Sequence, residues 1–159
     1  MPTTLLQDRR FVPALCTLFD AAQREVIILQ YQFRAPTKPS PPMLAILHAL
    51  LSAAQRGVQI TILLNRPNRP RRPGPSHGAL TSWLNHPNVH ILHHTRQQIL
   101  HCKACAVDGR ILVLGSHNLS HASFTTSRNI SAAIEDPDAL AVFLIIANHL
   151  IKEATSATR

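Results

Sequence analysis

Between Glu25 and Asp108 the chain carries no aspartate and no glutamate. Across all 159 residues there are only 8 carboxylate side chains against 16 lysines and arginines, a formal net charge of +8 and a sequence pI of about 10.7. Arg34, Lys38, Arg56, Arg66, Arg69, Arg71, Arg72, Arg96 and Lys103 therefore stand with no carboxylate nearby in sequence. That distribution is a footprint for a polyanionic partner, nucleic acid first among them. Most of the cations are arginines, whose planar fork can hold two phosphate oxygens at once. A basic surface kept only for solubility is the bland alternative.

Cysteine is scarce as well. Cys16, Cys102 and Cys105 are an odd number. The opening M-P-T-T-L-L-Q-D-R-R has no basic segment followed by an apolar one. A cytoplasmic location with reduced thiols is the expectation. Cys102-x-x-Cys105 invites a zinc or redox reading, but residues three apart on a strand face opposite sides, and there is no second pair. His90 and His93 fail as a metal pair for the same reason. His117-x3-His121 has helical spacing, yet no carboxylate or cysteine follows at ligand spacing, so no metal and no cofactor is assigned. His48 and His149 fall inside helices and need no function.

Long apolar runs are missing too. The longest, A-L-A-V-F-L-I-I-A, stops well short of the ~18–20 residues that cross a bilayer, so a buried or subunit-contacting helix is expected there and no membrane span. With no repeat or linker, and 45% hydrophobic residues to fill a core, one domain over residues 1–159 is expected.

What is present alternates helix and strand. Arg9–Ala22 carries apolar residues at Phe11, Val12, Leu15, Leu18 and Phe19, a helical face. Glu25–Gln30 (E-V-I-I-L-Q) reads as a strand covered on both sides. Arg34–Pro42 is a proline-stiffened loop. Met43–Gln55 is a helix stopped by Gly57, and Val58–Leu64 a second buried strand. Strand, helix, strand argues a right-handed βαβ unit, hence an α/β fold with a mixed, largely parallel sheet and helices on both faces. Asn65–Ser76 is a proline-rich loop at a strand's carboxyl end, where such sheets place their ligands. Its Arg69, Arg71 and Arg72 are expected to touch substrate phosphates. Gly78–Leu84 reads as a short helix and Val89–His93 as a short strand. Asn118–Ser123 reads as a brief helix and Asn129–Ile134 as a strand. Asp136-Pro137 is a cap that opens a helix over Asp138–Glu153.

The chemistry is concentrated in His101–Asn129. His101, Lys103 and Asp108 stand as H-x-K-x4-D, and Gly115, Ser116 and Asn118 follow as G-S-x-N. A base, a fixed cation and small hydroxyl and amide donors at this spacing suit a site that cleaves phosphodiesters. Ile99–Val107 and Ile111–Leu114 read as buried strands joined by Asp108-Gly109, a strong signal for a two-residue hairpin turn. Such a turn pairs Val107 with Arg110 and His101 with Ser116, so that His101, Lys103 and Ser116 share a face.

This stretch resembles the phospholipase D superfamily, whose signature is H-x-K-x4-D-x6-G-S-x-N and whose every position is matched here. One copy in a short chain looks most like the superfamily's small bacterial endonucleases, which work as homodimers. The resemblance implies a metal-independent phosphodiesterase acting through a phosphohistidine. His101 of one subunit would attack and His101 of the other would protonate the leaving oxygen, while Lys103, Ser116 and Asn118 hold the non-bridging oxygens. Asp108, at the turn, suits a structural part better than a proton carrier. One position departs from the pattern. Those relatives carry, about ten residues after the asparagine, a glutamate bonded to the catalytic imidazole, and Asn129 stands there here. An amide can orient a ring but cannot stabilise an imidazolium by charge. Nucleic acid is the favoured substrate, with a phospholipase or small-phosphodiester hydrolase as runner-up. A catalytically weak nucleic-acid-binding module stays open because of Asn129.

Overall fold

In the computed structural model, which describes residues 2–65, 75–94 and 98–156, seven strands form one sheet. They are β1 (Thr3–Gln7), β2 (Glu25–Gln30), β3 (Gln59–Leu64), β4 (Val89–His93), β5 (Lys103–Val107), β6 (Ile111–Gly115) and β7 (Ile130–Ile134), in the order β1-β7-β6-β5-β2-β3-β4. The helices are α1 (Phe11–Ala21), α2 (Pro41–Gln55), α3 (Pro75–Trp83), α4 (His121–Thr125) and α5 (Pro137–Ser156), with a 3-10 turn at Asp8–Arg10.

β2 is apolar on both faces because both are covered. Val26 and Ile28 enter the larger core with Phe11, Phe19, Ile46 and Leu50 of α1 and α2. Ile27 and Leu29 join Leu63, Leu100, Ala147 and Ala154 beneath α5. Helices thus lie on both faces, as the alternating pattern implied. Phe19 and Leu50 are 0% exposed; truncating such a leucine to alanine costs about 2–5 kcal/mol, mostly as cavity. α2 opens with Pro41 and Pro42, where a missing N–H leaves nothing unpaired. Past its end, Arg56 donates to the carbonyls of Phe19 and Asp20 at 2.8 and 2.9 Å, closing the exposed end of α1. That employment takes Arg56 out of the unpartnered cations.

The sheet is mixed, but its balance of directions differs from the expectation. Only β2–β3 and β3–β4 are parallel; the other four pairings are antiparallel. The βαβ half dictates parallel strands. Beyond β4 the connection from β5 to β6 is a tight turn, which can only reverse the chain. β1, which the sequence pattern did not single out, adds a further antiparallel edge: only Leu6 of its five residues is buried.

The β5–β6 turn also holds one more residue than expected. Asp108 and Gly109 do take positive φ, 55° and 62°, but Arg110 stays in the turn and Val107 pairs with Ile111. The register therefore moves by one residue, so Ser116 does not fall opposite His101 and the expected sharing of one face by His101, Lys103 and Ser116 does not hold. α4 starts at His121 rather than at the expected Asn118, which leaves His117 four residues before it, so helical spacing between His117 and His121 does not apply. Cys105 sits in the larger core and Cys102 packs toward α5, on opposite faces, and all three thiols are free.

Candidate active site

Gln30 at the end of β2 aligns with Leu64 of β3 and with Lys103 at the start of β5; Leu64 aligns with His93, and Gly115 with Ser131. One edge of the sheet thus gathers the carboxyl ends of the parallel strands, the entry to β5, the exit of β6 and the entry to β7. Ligands of α/β sheets bind outside such an edge.

His101 is exposed and Lys103 half-buried on this edge. The Lys103 ammonium donates to the His101 carbonyl at 3.0 Å and stands 3.4 Å from imidazole Nε2 and 3.5 Å from Nδ1. Tyr31 supports both: its ring centroid is 4.6 Å from that of His101 and 5.2 Å from Lys103 Nζ. Its N–H donates to the Cys102 carbonyl at 2.7 Å, which fixes the strand entry. Burial lowers the Lys103 pKa from its ordinary 10.5, and neighbouring Cys102 opposes the shift. Tyr31 and Gln30 were not singled out from sequence; their only signal was to follow directly on a buried apolar run.

The G-S-x-N loop comes next to β7. A Cβ at Gly115 would run into the backbone of Ser131 and Ile130, so this close crossing requires glycine. Ser116 is exposed; its hydroxyl donates to Asn129 Oδ1 at 2.8 Å and accepts the Ile130 N–H at 3.0 Å. Asn129 is held in turn: its amide N–H donates to Asp8 at 2.8 Å and its side-chain nitrogen to the Ser123 carbonyl at 3.2 Å. Asn118 is half-buried and, among the described residues, its side-chain oxygen has no hydrogen-bond partner. His117, 1% exposed, points inward instead, stacked on Phe11 at 4.0 Å with Nδ1 2.8 Å from Ser131 Oγ. Burial pushes its pKa below 6.5, against a smaller opposing effect of Asp8. Among the described residues, its Nε2 and the Gln30 Oε1 have no hydrogen-bond partner. Both residues, with Lys103, line a small, partly open pocket of about 10 Å³, the room one water takes.

Asp108 lies at the other end of β5. Its carboxylate accepts the N–H groups of Gln23, Arg24 and Glu25 at 2.9, 2.8 and 3.1 Å. Burial works to raise its pKa, but those three amides outweigh it and hold the group below 3.8. Of the six motif and motif-linked positions, His101 and Lys103 therefore meet at the start of β5, and Ser116 meets Asn129 between β6 and β7. Asn118 lies on the same loop as Ser116, and Asp108 is remote. The hydrogen bonds of Asn129 go to Ser116, Asp8 and Ser123, and none to His101. Arg69, Arg71 and Arg72 lie outside the described residues. Among the described residues, no group of three or more His, Cys, Asp or Glu could hold a metal ion.

Residues 15–151 match the protein family described as cardiolipin synthase, PLD-like domain. Cardiolipin synthase A of Cronobacter sakazakii is 32% identical over 115 residues, which are 72% of this chain and 22% of that protein. The chain thus spans about a fifth of the length of that curated relative. Among solved structures, the phospholipase D family member Nuc from Salmonella typhimurium superposes with a TM-score of 0.78 at 19% identity, over 96% of both chains. NucT from Helicobacter pylori gives 0.77 at 18% identity, again over 96% of both. At those identities the likeness is one of fold.

Proposed function

This chain belongs to the phospholipase D superfamily, and on that premise we propose that it hydrolyses nucleic-acid phosphodiesters without a metal, in a site shared by two copies. The observation that carries the reading is the Lys103 ammonium 3.4 Å from His101 Nε2, at the end of the sheet where β6 exits toward Ser116. A ring nitrogen of His101 attacks phosphorus in line with the leaving oxygen; the N–P bond forms as the P–O bond breaks. The leaving oxygen takes a proton from the second imidazole, His101 of the other copy. Water then attacks the phosphohistidine, giving its proton to that second ring and releasing His101. Lys103, Ser116 and Asn118 hold the non-bridging oxygens, where negative charge grows. Asp108 serves by tying the β5–β6 turn to Gln23–Glu25.

One histidine cannot stand on both sides of the phosphorus, so a single motif per chain calls for a two-fold partner. α5 offers the surface. Its inner face is packed, yet Val142, Ile145 and Ile146 are 58%, 71% and 50% exposed, an apolar stripe that a second copy would cover. Among the described residues no helix is long and apolar enough to cross a membrane.

Nucleic acid is preferred because the basic surface has so few carboxylates. The second reading, action on a phospholipid diester, is favoured by the 32% identity to a cardiolipin synthase. Purified protein incubated with labelled DNA, RNA and phosphatidylcholine vesicles in excess EDTA separates them. Cleavage of DNA or RNA is the expected result. Cleavage of phosphatidylcholine alone, or activity that returns only with added Mg2+ or Zn2+, overturns the proposal.

A further inference from the structure

Away from the sheet edge, the 3-10 turn before α1 faces the segment between α4 and β7 across an open hollow of about 710 Å³. Arg9 and Arg10 lie on one wall, Thr125–Arg128 on the other, and Asp8 between them. All three arginines are exposed. Neither Arg9 nor Arg10 forms an ion pair with any described residue, and the hollow's one carboxylate is already engaged. Asp8 accepts Arg128 Nη1 at 2.7 Å through one oxygen and the Asn129 N–H at 2.8 Å through the other. With one arm of its fork held, Arg128 keeps its remaining donors turned outward; its side chain is 90% exposed. The hollow is therefore cationic, wide, and free of any unpaired carboxylate that could repel an anion.

Its place matters more than its charge. Asp8 binds the backbone of Asn129, and Asn129 binds the hydroxyl of Ser116. Arg128 is two residues from Ile130, whose N–H also holds Ser116. Two residues of extended chain span at most about 7 Å, so the backbone of Arg128 lies close to the Ile130 N–H that holds Ser116. An anion on Arg128 would load the hydrogen bonds that fix Ser116.

We infer that Arg9, Arg10 and Arg128 form a second phosphate-binding site, which takes backbone phosphates of the same nucleic-acid strand beside the one cleaved. This deepens the nucleic-acid reading of the site and rests on it. The pairing of Arg128 with Asp8 aims the guanidinium, and Arg9 and Arg10 supply charge that carries no base preference.

The test measures binding of a labelled single-stranded oligonucleotide against salt, in a His101→Ala background so that nothing is cleaved. Arg9→Ala with Arg10→Ala should weaken binding at least tenfold. The log–log salt slope should become shallower by about 0.7 for each single-strand phosphate that the variant no longer neutralises. Arg110→Ala, at the opposite end of β5, should leave both unchanged. Because Arg9 and Arg10 are exposed, a matching circular dichroism spectrum checks that the fold is intact. Unchanged affinity and slope in the double variant overturn the inference and leave the nucleic-acid reading standing, and so does an equal loss in Arg110→Ala. A parent protein that ignores the oligonucleotide but binds phosphatidylglycerol vesicles overturns the nucleic-acid reading itself, and this inference with it.

Discussion

The hydroxyl proton of Ser116 is directed at Asn129 Oδ1, 2.8 Å away, while the same oxygen accepts the Ile130 N–H at 3.0 Å. A serine hydroxyl has one proton to give, and Asn129 Oδ1 is its shorter acceptor, the Ile130 carbonyl lying at 3.3 Å. Donating to a phosphate oxygen instead means rotating that proton outward, with the Ile130 N–H keeping the oxygen in place. Asn129 thus acts on Ser116, where the resemblance placed a residue acting on the imidazole. The neutral amide suits this part, since it accepts the proton without binding it as strongly as a carboxylate would.

The first prediction follows from that geometry. Ser116→Ala should lower kcat by about 10²–10³, the range for losing one fixed donor. Asn129→Ala should lower it less. The double variant should match Ser116→Ala, because Asn129 has nothing left to orient. Losses that multiply would mean that Asn129 works on another group.

Much of the scaffold could be read from residues. β2 and β4 match their expected bounds because each is a short apolar run between turn signals. The meeting of His101 with Lys103 was legible from their spacing, although β5 begins at Lys103 and His101 lies just before it rather than within the expected strand. The Ser116–Asn129 hydrogen bond could not be read this way. It depends on β6 lying beside β7, a pairing between segments that no local pattern encodes. β1 was invisible for a related reason: four of its five residues are exposed, so burial leaves no alternation, and only its pairing with β7 makes it a strand. The turn chemistry of Asp108-Gly109 was legible, but whether Arg110 joined the turn was not, and that one residue shifted the register.

Asp108 gives the second prediction. Asp108→Ala leaves three backbone N–H groups without their acceptor and should destabilise the fold by about 1–3 kcal/mol, while folded protein keeps its kcat. The sign with pH follows from a carboxyl held below 3.8 in the folded state. The unfolded chain binds the proton first, so this contribution is complete above the unfolded pKa and is lost as pH falls through the folded one. Denaturant titrations from pH 5 down to 2 should show wild type and variant converging. Parallel curves would remove Asp108 from the account.

His117 titrates with the same sign, for a different reason. Its folded pKa lies below 6.5 because burial disfavours the imidazolium. The unfolded chain therefore takes up the proton first on acidification. Stability attributed to His117 should be fully present above about pH 6.5 and decline as pH drops toward the folded value. A His117→Phe variant, able to keep the stack on Phe11, should lose this slope between pH 6.5 and 5. Melting temperatures across that window check it. A slope that survives the substitution belongs to another histidine.

The last prediction concerns the apolar stripe of α5. Ile145 is 71% exposed, so Ile145→Asp places a charge on a surface that is open in one chain and covered in a pair. In an isolated chain the substitution should move stability by no more than about 0.5 kcal/mol. In a dimer it should separate the copies, because a charge left unpaired in an apolar interface is not tolerated. Sedimentation should report a monomer with unchanged circular dichroism, and under the proposed shared site, which takes His101 from both copies, phosphodiesterase activity should fall with the dimer fraction. Mixing tests the sharing directly. A dimer of one His101→Ala chain and one Lys103→Ala chain retains a single His101, so it lacks either the nucleophile or the acid and should stay inactive. Recovery of near wild-type rates on mixing, or an Ile145→Asp monomer that cleaves at the full rate, would show that each chain carries a complete site. Either result ends the two-copy mechanism and leaves the superfamily assignment untouched.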